Sequence, residues 1–210
     1  MIDIPIGDSD CLLIIDVQND FCSQGALEVP DGDAVVPVIN SLIPKFSTIV
    51  LTQDWHPIAH SSFASEHDGK KPLDTITMAY GEQTLWPDHC VQGNRGAEFH
   101  PDLDITPAQM IVRKGFRAGI DSYSAFFEND KTTATGLSGY LKERGVQRVF
   151  CVGLATDFCV RFSAEDAVRA GFNAVVIGAA CRGINIDDSV AKAYAQMSKL
   201  GVEILDSPAP

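Results

Sequence analysis

The sequence predicts a three-layer α/β/α sandwich built on a six-stranded, mainly parallel sheet. Three observations predict it. Short apolar, β-rich runs alternate with helical patterns along most of the chain, the rhythm of a doubly wound fold. Runs such as Leu12-Leu13-Ile14-Ile15 are apolar without a break, as strands covered on both faces require. Three helical stretches stop at a glycine that leads into the next apolar run, in Arg144-Gly145, Ala170-Gly171 and Leu200-Gly201; a left-handed residue without Cβ is a common helix stop.

In chain order, residues 11–15 read as the first strand and 34–45 as the first helix. A second strand covers 48–52 and a third 110–113, with residues 54–109 between them irregular and rich in His, Pro, Gly and Trp. A loop that long in a compact domain is usually functional. Helix 138–144, strand 148–153, helix 158–170, strand 174–177, helix 188–199 and strand 202–205 complete the alternation. The expectation is one domain over residues 1–210, with 54–109 as an insertion in it.

Composition narrows the partners. Sixteen basic against 28 acidic residues give a net charge of −12, which argues against nucleic acid and anionic membrane surfaces. No apolar run reaches membrane-spanning length and the first residues lack a signal-peptide pattern, so the expected location is the cytoplasm. The six cysteines are scattered and read as reduced thiols. Self-association is left open.

The reactive residues fall at strand ends. Asp16 ends the first strand, Asp54 the second and Lys114 the third, while the turn Ala155-Thr156-Asp157-Phe158-Cys159 follows the fourth. In a parallel sheet these ends share one edge, where ligands bind. Each group alone has an ordinary reading: a turn-capping Asp, a solvated Lys, a small buried Cys. Together they form a chemistry. A cysteine at the start of a helix is expected to have a lowered pKa, and the N–H groups there can hold an oxyanion. Asp16 could accept the thiol proton and pass it to a leaving amine, while Lys114 holds the carboxylate and favours the thiolate.

A second constellation lies in the insertion. Asp54 and His56, two apart on extended chain, point the same way, and His89 in Trp86-Pro87-Asp88-His89-Cys90 can join them. Two imidazoles and a carboxylate suit one divalent transition metal, with zinc first and iron or manganese as alternatives. His60 is a further candidate ligand, and His67 reads as a solvated loop residue. Phe21, Trp86 and Tyr123 lie near these groups and could sandwich a flat ring. Cys11, Cys22, Cys90, Cys151 and Cys181 read as inert packing.

The segment Gly153-Leu154-Ala155-Thr156-Asp157-Phe158-Cys159-Val160, with Asp16-Val17-Gln18-Asn19-Asp20-Phe21 and Lys114-Gly115, resembles the cysteine hydrolases of the isochorismatase-like superfamily. Thr52-Gln53-Asp54-Trp55-His56-Pro57 and Trp86-Pro87-Asp88-His89-Cys90-Val91-Gln92-Gly93 resemble its nicotinamidase (pyrazinamidase) branch. The resemblance spans about residues 10–205. It implies conversion of nicotinamide, and also pyrazinamide, to the acid and ammonia through a thioester, in NAD salvage. It implies Asp16, Lys114 and Cys159 as the triad, and oxyanion donors from the Ala155 and Cys159 N–H groups after a cis Leu154–Ala155 bond. It implies Asp54, His56 and His89 as metal ligands, with a fourth ligand ambiguous among His60, Ser61 and Ser62. Phe21, Trp86 and Tyr123 would hold the pyridine ring, whose nitrogen faces the metal.

The rival readings are a superfamily amidohydrolase for carbamoyl or ureido substrates, an isochorismatase, a hydrolase driven by metal-bound water, and a dinucleotide-binding module. The metal trio speaks against an isochorismatase. The last lacks a G-x-G-x-x-G after the first strand, where a phosphate-binding turn needs it.

Overall fold

The computed structural model describes residues 5–205. Strands β1 (Asp10–Ile15), β2 (Thr48–Asp54), β5 (Met110–Lys114), β6 (Arg148–Leu154), β7 (Asn173–Arg182) and β8 (Glu203–Leu205) form one sheet in the order β5-β2-β1-β6-β7-β8. All five pairings are parallel, so the sheet is wholly rather than mainly parallel. The chain steps from β1 outward through β2 to β5, then returns to β6 on the other side of β1. The direction of winding therefore reverses between β1 and β6. That crevice is where open α/β sheets bind ligands.

Strand alternation sorts the core into two layers. Leu12 and Ile14 of β1 face one side with Ile49, Leu51, Phe150 and Val152, under helix α1 (Val35–Leu42). Cys11, Leu13 and Ile15 face the other with Val149 and Cys151. That side is covered by α2 (Leu137–Glu143), α3 (Arg161–Arg169) and α4 (Ser189–Lys199). Crossovers of one hand place helices on opposite faces when the strand order runs in opposite directions. All six residues of β1 are buried, which is why its sequence shows no polar alternation. No helix among the described residues is long and apolar enough to cross a membrane.

Two boundaries differ from the sequence expectation. β7 runs on past Ile177 to Arg182 through Gly178-Ala179-Ala180, because Cys181 and Arg182 pair with Gly153 and Leu154 beyond a register shift in β6. Small residues there carry no β signal. The helix expected from residue 158 begins at Arg161, preceded by a π-helical turn over Thr156–Val160.

Residues 55–109 contain an antiparallel hairpin, β3 (Thr75–Met78) with β4 (Gly81–Thr84), that the sequence reading leaves as loop. Backbone bonds close the segment on itself, and a side chain ties it to the sheet edge. His56 N–H donates to the Cys90 carbonyl at 3.0 Å and Gln92 N–H to the His56 carbonyl at 2.8 Å. The buried Gln18 amide bonds both the N–H and the carbonyl of Asp54. These contacts bring His89 beside Asp54 and His56.

Candidate active site

Asp16 leaves β1 in the left-handed region, φ 49°, which turns its carboxylate back over the sheet edge. Its N–H donates to Thr52 Oγ1 at 3.1 Å, and the Thr52 hydroxyl donates to Asp16 Oδ1 at 2.6 Å. Lys114 ends β5 opposite Asp54 of β2. Its Nζ lies 2.8 Å from Asp16 Oδ2, 3.2 Å from Asp54 Oδ1 and 3.5 Å from Cys159 Sγ, and donates to the Ser122 carbonyl at 2.8 Å. Cys159 approaches from β6 across the winding reversal, and its thiol is close enough to Asp16 for the carboxylate to act on its proton affinity. Side chains from three strand ends and one turn thus meet with almost no exposure; Lys114 is 1% exposed. An ammonium survives there because two carboxylates surround it.

The electrostatics correct one expectation. Burial pushes the Cys159 thiol well above its ordinary value, and the Asp16 and Asp54 charges add to this against the opposing pull of Lys114. The helix start does not produce a resting thiolate: Cys159 sits inside the π turn, and desolvation outweighs the ammonium. Burial likewise raises Asp16 despite Lys114. For Lys114 burial pulls the other way, but the two carboxylates hold it well above the ordinary lysine range. Burial thus raises the proton affinity of both partners, the thiol more strongly than the carboxylate that faces it.

The Leu154–Ala155 peptide is cis. The Ala155 carbonyl accepts the N–H groups of Phe158 and Val160 at 3.1 Å each, so the π turn folds around Ala155 with Cys159 on its inner side. Asp157 fixes this turn to the chain after β7 by accepting the N–H groups of Ile184 and Asn185.

Asp54, His56 and His89 are buried, and their ligand atoms lie within 4.8 Å of one another. His56 Nδ1 is 2.9 Å from the Gly115 carbonyl and His89 Nδ1 is 2.8 Å from the Pro87 carbonyl. Each Nδ1–H donates to its carbonyl, which turns the Nε2 atoms toward Asp54 Oδ2, at 3.0 Å and 3.4 Å. Carbonyl-anchored imidazoles presenting Nε2 beside a carboxylate fit a divalent transition ion. Such a cluster of acceptors favours a cation among them, and the His56 imidazole shows that pull. Burial pushes it down, yet the Asp54 charge carries it above its ordinary value. Asp54 feels burial too, but His56 and Lys114 hold it well below the carboxylate range.

Gly115 explains itself in this geometry. At φ +65°, a Cβ there would lie 2.5 Å from His56 Cε1 and 2.9 Å from Asp54 Oδ1. Gly115→Ala is expected to displace the His56 ring and lower metal content in elemental analysis, beyond the ~1–2 kcal/mol that a left-handed side chain costs.

His60 stands outside the trio. Its Nδ1 faces Ser62 Oγ at 2.7 Å and its Nε2 the Arg117 carbonyl at 3.0 Å. Both nitrogens are occupied, although its ring packs on His56 with centroids 4.3 Å apart. His60 does form a second cluster with His56 and Asp121. His67 is half-buried and bonds the Ser61 carbonyl, so it is not simply solvated. The remaining five cysteines are buried and free.

Phe21, Trp86 and Tyr123 line one cleft with Asp54, His89 and Cys159. The sequence reading missed Phe158, whose ring meets Trp86 edge to face at 4.8 Å, together with Leu27, Asp121 and Ile184 in the same lining. Phe158 lies within the turn over residues 155–159, but a helical pattern assigns it to packing.

A family model described as the isochorismatase domain matches residues 10–209. The chain belongs to the isochorismatase family. Within that family it is 54% identical to the nicotinamidase of Acinetobacter baylyi over 93% of this chain and 92% of that one. The solved nicotinamidase/pyrazinamidase of Acinetobacter baumanii superposes with a TM-score of 0.94 at 54% identity, over 96% of this chain and 97% of that one. A pyrazinamidase of Pyrococcus horikoshii solved in complex with zinc superposes at 0.76 with 36% identity, over 94% and 98%. These isochorismatase-family proteins share its doubly wound sheet.

Proposed function

We propose that this protein hydrolyses nicotinamide to nicotinate and ammonia, accepts pyrazinamide, and uses Cys159 as a covalent nucleophile. The observation that carries the mechanism is the buried Asp16–Lys114–Cys159 cluster opening onto the aromatic cleft beside Asp54, His56 and His89. The relatives named for this activity support a ring amide over a carbamoyl or ureido one.

Asp16 takes the thiol proton as Sγ bonds the carboxamide carbon, so no resting thiolate is needed. The Ala155 and Cys159 N–H groups hold the oxyanion. Asp16 returns the proton to the nitrogen as the C–N bond breaks and ammonia leaves a thioester. It then takes a proton from water as the water attacks the thioester; the acid forms and the thiol is restored. Lys114 stays charged throughout, balancing Asp16 and Asp54. Phe21, Trp86, Tyr123 and Phe158 fix the plane of the ring. Asp54, His56 and His89 would hold a divalent ion, zinc first with iron or manganese as alternatives, which would supply a Lewis-acidic anchor for the substrate.

The deciding assay is ammonia release from nicotinamide by the purified protein before and after chelation. Turnover is expected, with loss on chelation and recovery on adding a divalent metal. Replacing Asp54, His56 or His89 should lower both metal content in elemental analysis and nicotinamide affinity, because orientation is worth many-fold in rate. Metal-free protein that turns over at the same rate would overturn the role of the ion.

A further inference from the structure

The hairpin β3–β4 has no part in the chemistry above, yet one of its side chains is out of character. Its strands are largely exposed, in burial patterns that leave Gln83 as the one fully buried position, at 1% exposure. A glutamine is a costly choice there unless its amide is used. Gln83 Nε2 lies 2.7 Å from Asp121 Oδ2, 2.7 Å from the Thr84 carbonyl and 3.0 Å from the Tyr123 hydroxyl. Gln83 Oε1 accepts from the Tyr80 hydroxyl at 3.0 Å and from Asn129 Nδ2 at 3.3 Å. Asn129 Oδ1 in turn accepts the N–H of Tyr123 at 3.1 Å.

The Tyr123 hydroxyl is therefore a junction. It also accepts the indole N–H of Trp86 at 3.1 Å. Two of the cleft's aromatic walls are joined at this one oxygen, and Gln83 holds it from the side of the hairpin. The same amide donates to Asp121, a buried carboxylate in the cleft lining whose other oxygen accepts the N–H of Ser122 at 2.8 Å. Losing that donor would leave one buried carboxylate oxygen unpaired in the cleft lining.

We propose that Gln83 is a positioning residue for ring binding: it sets the Trp86–Tyr123 wall and neutralises the hydrogen-bonding demand of Asp121. This rests on the ring-amide reading given above. Gln83 acts on the substrate through Tyr123, not on the triad, so its loss reaches binding and leaves the thiol alone.

The test uses Gln83→Met, which keeps the length and removes the amide, with Tyr123→Phe and the double variant. Nicotinamide KM should rise roughly 10-fold in Gln83→Met, the scale set by leaving buried polar groups unpaired, while kcat changes much less. The rate of Cys159 alkylation by iodoacetamide, which carries no ring, should stay at the wild-type value, and nicotinate should protect the thiol less well. The double variant should be no worse than the more damaged single one, since both break one junction. Unchanged KM overturns the proposal. So do additive losses, or a fall in alkylation that tracks a lowered Tm. A variant too unstable to assay at Gln83→Met is replaced by Gln83→Glu, which keeps the size but sets a second carboxylate against Asp121 and should raise KM further. Wild-type protein with no nicotinamide turnover would instead overturn the ring-amide reading, and this proposal with it.

Discussion

Replacing Cys159 by alanine is expected to abolish amide hydrolysis while fold and metal content stay as they are. The sulfur makes one polar contact of consequence beyond Asp16, the 3.5 Å approach of Lys114 Nζ. Lys114 keeps Asp16, Asp54 and the Ser122 carbonyl without it, so the buried charges remain paired. The metal ligands are anchored by the Gly115 and Pro87 carbonyls, neither of which Cys159 touches. Covalent hydrolases that lose their nucleophile fall by on the order of a million-fold in turnover. The measurement is ammonia release from nicotinamide by the metal-loaded variant, with metal content and a thermal melt alongside. More than trace turnover would favour metal-bound water as nucleophile and leave Cys159 a packing residue.

The strand-end logic that points to this residue was fully legible in the sequence. Six apolar runs and three helix-stopping glycines define the alternation, and the alternation alone brings Asp16, Asp54, Lys114 and Cys159 to one edge. The metal trio was legible for the same reason at Asp54 and His56, which share one extended segment. His89 could be named only from its motif, because its placement depends on the His56–Cys90–Gln92 backbone bonds, and backbone pairing across a loop leaves no mark on side-chain pattern. The hairpin β3–β4 escaped because its turn, Met78-Ala79-Tyr80-Gly81, lacks the Asn-Gly or Asp-Gly signal of a two-residue hairpin. The sign of the Cys159 shift is hidden from the sequence because position at a helix start is local, whereas the Asp16 and Asp54 charges come from two separate strand ends and the desolvation from the whole fold. Burial of a site is a property of the fold, and no spacing rule reports it.

Asp16→Asn is expected to cost more turnover than Lys114→Arg, and the two should fail in different ways. Asparagine preserves shape and can still meet Thr52, but it cannot take the thiol proton. General acid–base groups contribute ~100- to 10,000-fold, and Asp16 serves both halves of the reaction, so the loss should lie at least in that range. Its effect on the resting thiol has the opposite sign. Asp16 adds to the burial that raises the Cys159 pKa, because its negative charge opposes a thiolate beside it. Removing that charge, with Lys114 still beside the sulfur, lowers that pKa, so iodoacetamide alkylation of Asp16→Asn should extend to lower pH while turnover collapses. In the wild type, turnover should fall on the acid side at a pH above the ordinary carboxylate range, because burial raises Asp16 and protonated Asp16 is no base. Lys114→Arg keeps the charge, but a planar guanidinium cannot take the place of one Nζ that meets Asp16, Asp54 and the Ser122 carbonyl within 3.2 Å. Because Asp54 belongs to the metal trio, Lys114→Arg should also lose metal, and Asp16→Asn should retain it. A pH series of alkylation rates, steady-state turnover and elemental analysis on the two variants separates these outcomes. Wild-type turnover with an unchanged alkylation profile in Asp16→Asn would remove Asp16 from the mechanism.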